Sequence, residues 1–181
     1  LTDVTGVQTC ALPISRILEW SRDFSVRLAK TGRMPPVPEA VRAMTAMRGQ
    51  AELVVVSQAP EEQLLAEWAE AGIAGLVASI GGSDKGPKPA QIRAALAAAG
   101  LPPARAAIIG DAPGDLSAAR ETGIAFLPIV PGREGASWNR LLDEAWPRFL
   151  AGTFAGAYAE ALTDDFLVAL PERPPWAPLR D

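Results

Sequence analysis

Ala106-Ala-Ile-Ile-Gly-Asp111-Ala-Pro-Gly-Asp115-Leu-Ser-Ala-Ala119 is the stretch that decides the fold. Small and β-branched apolar residues run into a glycine and an aspartate, and a second aspartate follows four positions on. Such a run reads as a buried parallel strand. Pro113 and Gly114 then open a helix, with Asp115 in its first turn, where the dipole favours negative charge. Asp111 falls at the carboxyl end of a strand, where open α/β sheets place their ligands. A hard carboxylate there suits Mg²⁺, which takes few protein ligands and shares the rest with water and phosphate. A carboxylate there also suits a simple helix cap.

Outward from this stretch, strands and helices alternate. Ser15 to about Arg33 reads as the end of an amphipathic helix, with Ile17, Leu18, Phe24 and Leu28 near one face. Met34-Pro-Pro-Val-Pro38 breaks it, because proline interrupts helices and extends the residue before it. A helix is predicted over Glu39 to Arg48, then strands at Glu52–Ser57, Gly75–Ile80, Ala106–Ile109 and Ile124–Ile129, alternating with helices at Pro60–Gly72, Pro89–Gly100 and Pro113–Thr122. A last long helix is expected from Ala136 to Leu150, bearing Trp138, Leu141, Leu142, Trp146 and Phe149. The alternation predicts an α/β, three-layer Rossmann-like parallel sheet covered on both faces. Beyond Ala151, a short helix and a Pro-rich end, Leu170-Pro-Glu-Arg-Pro-Pro-Trp176, are expected to pack on the core.

Two further positions suit a phosphate. Ser57 ends the Val-rich strand just before a helix, where a hydroxyl and backbone N–H groups can hold a phosphate oxygen or merely cap the helix. Lys88 stands immediately before Pro89, at a helix start, where a lysine opposes the dipole at a cost of up to about 1 kcal/mol. An anionic substrate and nearby carboxylates would offset that cost. Solvent screening would also lower it. Lys85, three residues earlier in a Gly-rich loop, competes for the same role. Proline pins Lys88 in place and favours it.

The reactive inventory is short. Among 181 residues there is no histidine and one cysteine, Cys10. Histidine-ligated metals, Ser-His-Asp catalysis and intrachain disulfides are therefore excluded. Oxygen-ligated Mg²⁺ chemistry survives. Hydrophobic residues make up 49% and charged residues 21%, which describes an ordinary folded domain rather than a disordered chain. A net charge of −4 argues against a nucleic-acid or anionic-membrane partner. With no basic, apolar leader in view, the expected compartment is the cytoplasm.

Val4-Thr-Gly-Val-Gln-Thr-Cys-Ala-Leu-Pro-Ile14 resembles, residue for residue, the translation of a common sequencing-library adapter. Residues 1–14 are accordingly set aside, and the authentic chain is expected to begin near Ser15, inside a longer gene.

A serine after a hydrophobic strand, a lysine before a helix, and Gly-Asp-x-x-x-Asp after another strand occur here in order. Ser57, Lys88, Asp111 and Asp115 make this series, which resembles motifs two, three and four of the haloacid dehalogenase-like hydrolase superfamily. The resemblance spans roughly Val37 to Phe149. Glu134-Gly-Ala-Ser-Trp138, Gly152-Thr-Phe-Ala-Gly156 and Pro174-Pro-Trp176 look like one subgroup of these hydrolases. The resemblance implies that an aspartate nucleophile attacks a phosphoryl group and forms an aspartyl-phosphate. A second aspartate two residues on protonates the leaving group and then activates water. It also implies Mg²⁺ held by Asp111, with Lys88 and Ser57 on the phosphoryl oxygens. Asp115 would then orient Asp111 or a metal-bound water rather than bind the metal directly.

The first motif, a strand ending in Asp-x-Asp, has no counterpart in these residues. Asp3 follows no hydrophobic strand and lies beside the adapter-like segment. The family fold places that strand in the centre of the sheet, between the strands ending at Ser57 and Gly110. The expected organisation is therefore residues 15–35 as the remnant of a helical cap, 36–150 as a core lacking its central first strand, and 151–181 as a helix and tail. The expected parent activity is a Mg²⁺-dependent phosphohydrolase of small phosphorylated metabolites, with the chain itself inactive. The alternatives are a non-catalytic binding protein of the same superfamily, or another reaction on the scaffold, such as a phosphomutase or dehalogenase. A dinucleotide-binding domain is weaker, because no Gly-x-Gly-x-x-Gly follows a strand.

Overall fold

The structure is a computed structural model that describes residues 14–24, 26–27 and 35–170. The chain forms two compact units, residues 1–35 and 36–181. In the first, residues 14–24 and 26–27 are helical. Its apolar side chains are open to solvent, with Ile17, Trp20 and Phe24 exposed and the two rings stacked 5.8 Å apart. Leu28 lies outside the described residues, as do the adapter-like segment up to residue 13 and the Pro-rich tail 171–181.

The second unit is a mixed α/β fold with parallel strands, as the alternation predicts. Its elements are α1 (Pro38–Met47), β1 (Val54–Val56), α2 (Glu61–Glu70), β2 (Ser79–Gly81), α3 (Lys88–Ala99), β3 (Ala107–Gly110), α4 (Pro113–Thr122) and β4 (Ala125–Pro128). After them come α5 (Glu134–Arg140), α6 (Trp146–Leu150) and α7 (Ala157–Val168). Proline opens α1, α3 and α4, where its missing N–H costs nothing and its fixed φ suits the first turn. At the far end of α4, Gly123 takes φ 74°, a left-handed turn that other residues reach only with strain.

β1 pairs in parallel with β2, and β3 with β4, as two separate two-stranded sheets. Leu53 O accepts from Ala78 N–H, and Ser57 N–H donates to Gly81 O. Alternate residues of a strand point their polar groups to opposite sides, so Val54 and Val56 turn theirs away from β2. Ala106 O and Gly110 O likewise accept from Ala125 and Ile129, so Ala107 and Ile109 turn theirs away from β4. Leu53 nonetheless packs into the same apolar cluster as Ala107 and Ile109.

Two apolar clusters cover the sheets. One gathers Met47, Leu127, Leu141, Trp146 and Phe154; the other gathers Ile92, Leu116, Phe126 and Phe166. Trp138, Leu142 and Phe149, each partly buried, pack against the first.

Three expectations need correction. Gly75–Ile80 is not one strand: Ala74–Leu76 is a 3₁₀ turn and the strand is Ser79–Gly81. A short apolar run such as Gly75-Leu-Val-Ala carries no period that separates strand from turn. The helix expected from Ala136 to Leu150 is broken into α5, a π-helical turn at Leu141–Ala145, and α6. Pro147 has no N–H for the carbonyl four residues back, and its ring crowds that carbonyl, so the turn before it widens. The helix after Ala151 is 12 residues long rather than short.

Candidate active site

β3 delivers Asp111 to the carboxyl edge of its sheet, where the side chain is exposed. The residue preceding α4 is Ala112, in extended geometry, and its side chain cannot cap. Asp115 takes that role from inside the helix: its carboxylate accepts the Ala112 N–H at 3.1 Å. The helix-cap reading therefore belongs to Asp115 and leaves the Asp111 carboxylate for other chemistry. A β-carbon at position 110 would overlap the Asp115 side chain. Gly110 is required by that close approach.

Lys88 is the first residue of α3, directly after Pro87. Its ammonium group donates to the Asp115 carboxylate in a short ion pair. The side chains are 19% and 5% exposed, so the carboxylate is nearly dry and the lysine is open at one side. The negative charge of Asp115 offsets the cost of a lysine at a helix start. Lys85 goes elsewhere. It lies 3.4 Å from the Glu61 carboxylate with 60% of its side chain exposed. Of the two competing lysines, Lys88 is the one joined to the acidic pair.

Ser57 leaves β1 with its N–H on Gly81 O at 2.9 Å, and its hydroxyl oxygen accepts the Ala59 N–H at 3.1 Å. The hydroxyl thus shapes the loop before α2 and retains a proton to donate. Among the described residues no hydrogen bond joins Ser57 or Asp111 to Lys88. The structure brings Lys88 and Asp115 together and sets Ser57 and Asp111 at the ends of two separate strands.

Two residues the sequence reading passed over, Gln91 and Asp84, hold this region in shape. Gln91 donates through Nε2 to Gly82 O at 2.9 Å and Gly86 O at 2.7 Å, which fastens the loop before Lys88 to the first turn of α3. Asp84 accepts the Glu61 N–H at 2.8 Å and so ties the same loop to the start of α2. Glu61 keeps one carboxylate oxygen buried without a partner among the described residues. Only Asp84, an acidic residue in a Gly-rich loop, carried any signal.

No group of three or more acidic, histidine or cysteine side chains is gathered for a metal among the described residues. Asp115 spends its carboxylate on Lys88 and Ala112. Of the Asp111–Asp115 pair, Asp111 is the one left with a carboxylate open to a metal. That donor set fits Mg²⁺, which binds through one or two carboxylates and completes its shell with water and phosphate, and does not fit a softer metal.

A family model for haloacid dehalogenase-like hydrolases matches residues 11–123. The chain belongs to this hydrolase family. The matched span carries Ser57, Lys88, Asp111 and Asp115, and it begins inside the fourteen residues that the adapter resemblance sets aside. No curated protein and no solved structure matches the chain.

Proposed function

We propose that this chain carries the serine, lysine and acidic positions of a Mg²⁺-dependent phosphohydrolase that acts on small phosphorylated metabolites. The Lys88–Asp115 pair supports this reading most directly: a lysine held by a nearly buried carboxylate in the first turn of the helix that follows the exposed Asp111. Asp115 orients the Lys88 ammonium group and leaves its remaining protons for phosphoryl oxygens. The Ser57 hydroxyl donates to the same group, and Asp111 holds the metal. Mg²⁺, when bound, offsets phosphoryl charge and orients the transferring group. The substrate partner is a soluble metabolite met in the cytoplasm, with neither nucleic acid nor membrane involved. No described helix is long and apolar enough to cross a membrane.

No Asp-x-Asp precedes Ser57 in these residues. The nucleophile and its acid/base partner therefore have no candidate here, and the 181 residues alone do not turn over. The same fact favours a second reading, a non-catalytic member that binds a phosphorylated ligand through the same residues.

Lysine reactivity tests the proposal. Treating the chain with an amine-acylating reagent, with and without orthophosphate and Mg²⁺, and reading each site by mass spectrometry should show Lys88 protected and Lys85 unchanged. Equal reactivity of Lys88 in both conditions contradicts the phosphate site. Hydrolysis of p-nitrophenyl phosphate by the purified chain, lost in Asp111→Asn, contradicts the absence of the nucleophile.

A further inference from the structure

Away from the acidic pair, a groove of about 720 Å³ opens between α4, the start of β4, the 149–156 loop and the first half of α7. Asp115 lies in the first turn of α4, whereas the groove meets that helix at Leu116, Ala119 and Arg120, and its end at Gly123. It belongs to the opposite edge of the sheet from Asp111. Its walls are aromatic, with Phe126, Phe149 and Phe154. Its rim is charged: Arg120 on one side, Glu160 and Asp164 on the other, all exposed and none in an ion pair with a described residue.

We propose that this groove seats the chain's own Pro-rich segment, Pro171–Asp181. The chain enters that segment from Leu170, which packs on the same cluster of Leu116, Ala119, Ile124 and Phe126 that floors the groove. Pro171-Glu-Arg-Pro174 and Pro175-Trp-Ala-Pro178 both have the Pro-x-x-Pro spacing that docks in aromatic-lined grooves as a polyproline helix. At ~3.1 Å per residue such a segment reaches roughly 30 Å, enough to run back along α7 to its first turns. Charge agrees as well. Arg173 and Arg180 suit Glu160 and Asp164, while Glu172 suits Arg120. Trp176 is the apolar anchor, and its large, stiff ring favours a pocket of this kind. The inference stands apart from the phosphate site and does not depend on it.

The test uses the full chain. The difference in fluorescence between wild type and Trp176→Phe isolates Trp176, and acrylamide quenching then measures its access to solvent against a synthetic 171–181 peptide. Quenching at least threefold weaker in the chain is expected. Glu160→Lys/Asp164→Lys should raise quenching toward the peptide value, as should Arg173→Glu/Arg180→Glu, and the four changes together should restore protection. Glu160 and Asp164 are exposed, and circular dichroism should show the fold intact in each variant. Trp176 as accessible in the chain as in the peptide overturns the proposal. So does protection that grows with protein concentration, which assigns the groove to a second copy, and so does failure of the combined variant to recover.

Discussion

Lys88 and Asp115 stand 27 positions apart and meet as an ion pair that locks the first turn of α3 to the first turn of α4. α3 follows β2 and α4 follows β3, so the pair bridges helices whose strands belong to different sheets.

Removing the lysine strands a nearly buried carboxylate. Lys88→Met should lower stability by about 3 kcal/mol, the cost of an uncompensated buried charge. Asp115→Asn retains an acceptor for Ala112 N–H and should cost less. A double-mutant cycle by urea denaturation checks the coupling, which is expected to exceed about 1 kcal/mol.

Gly110→Ala should disrupt the same pair from the other side. The new methyl group overlaps the Asp115 side chain, which would have to leave its rotamer and release Lys88. Overpacking of this kind costs about 1–3 kcal/mol. Thermal denaturation measures it, and combining the change with Lys88→Met should give less than the sum, because both break one contact.

The sheet-forming stretch was legible because its cues agree locally. Ala106–Ile109 is apolar and β-branched, Pro113 fits a first turn and Gly123 a last one, so α4 falls on its expected bounds. Ser57, Lys88 and the acidic pair could be placed on their elements for the same reason. What could not be read was long-range. Nothing in the spacing of Lys85 and Lys88 shows which one reaches Asp115, or that Asp115 rather than Asp111 caps α4. Pro147 was visible, but its effect on the preceding turn depends on how the helix packs on Leu141 and Trp146.

Asp165 should govern part of the acid limb of stability. The hydrogen bond from Arg133 holds its carboxyl below the ordinary value of 3.8, with Arg140 adding to the effect. A depressed carboxylate stabilises the fold above its unfolded value and loses that contribution as pH falls through the folded one. Asp165→Asn should therefore cost roughly 0.5–1 kcal/mol at neutral pH, given partial exposure, and nothing once the wild-type carboxylate is protonated. Urea midpoints across the acid range give the comparison.

Val54 and Val56 on one strand, and Ala107 and Ile109 on another, turn backbone groups away from their sheets that have no backbone partner among the described residues. Open edges of this kind recruit other chains. The purified protein should scatter light increasingly with concentration. Val54→Lys, at an exposed edge position, should reduce that scattering severalfold without altering the helical signal. Scattering independent of this change would place the association elsewhere.

The most direct test of the central claim is calorimetric titration of orthophosphate into the 181-residue chain, with and without Mg²⁺, for wild type and Asp111→Asn. Phosphate binding that requires Mg²⁺ and weakens at least tenfold in Asp111→Asn is the expected result. Binding that ignores both the metal and Asp111, or no binding in either condition, would contradict the assignment of Lys88, Asp111 and Asp115 to a phosphate-handling site.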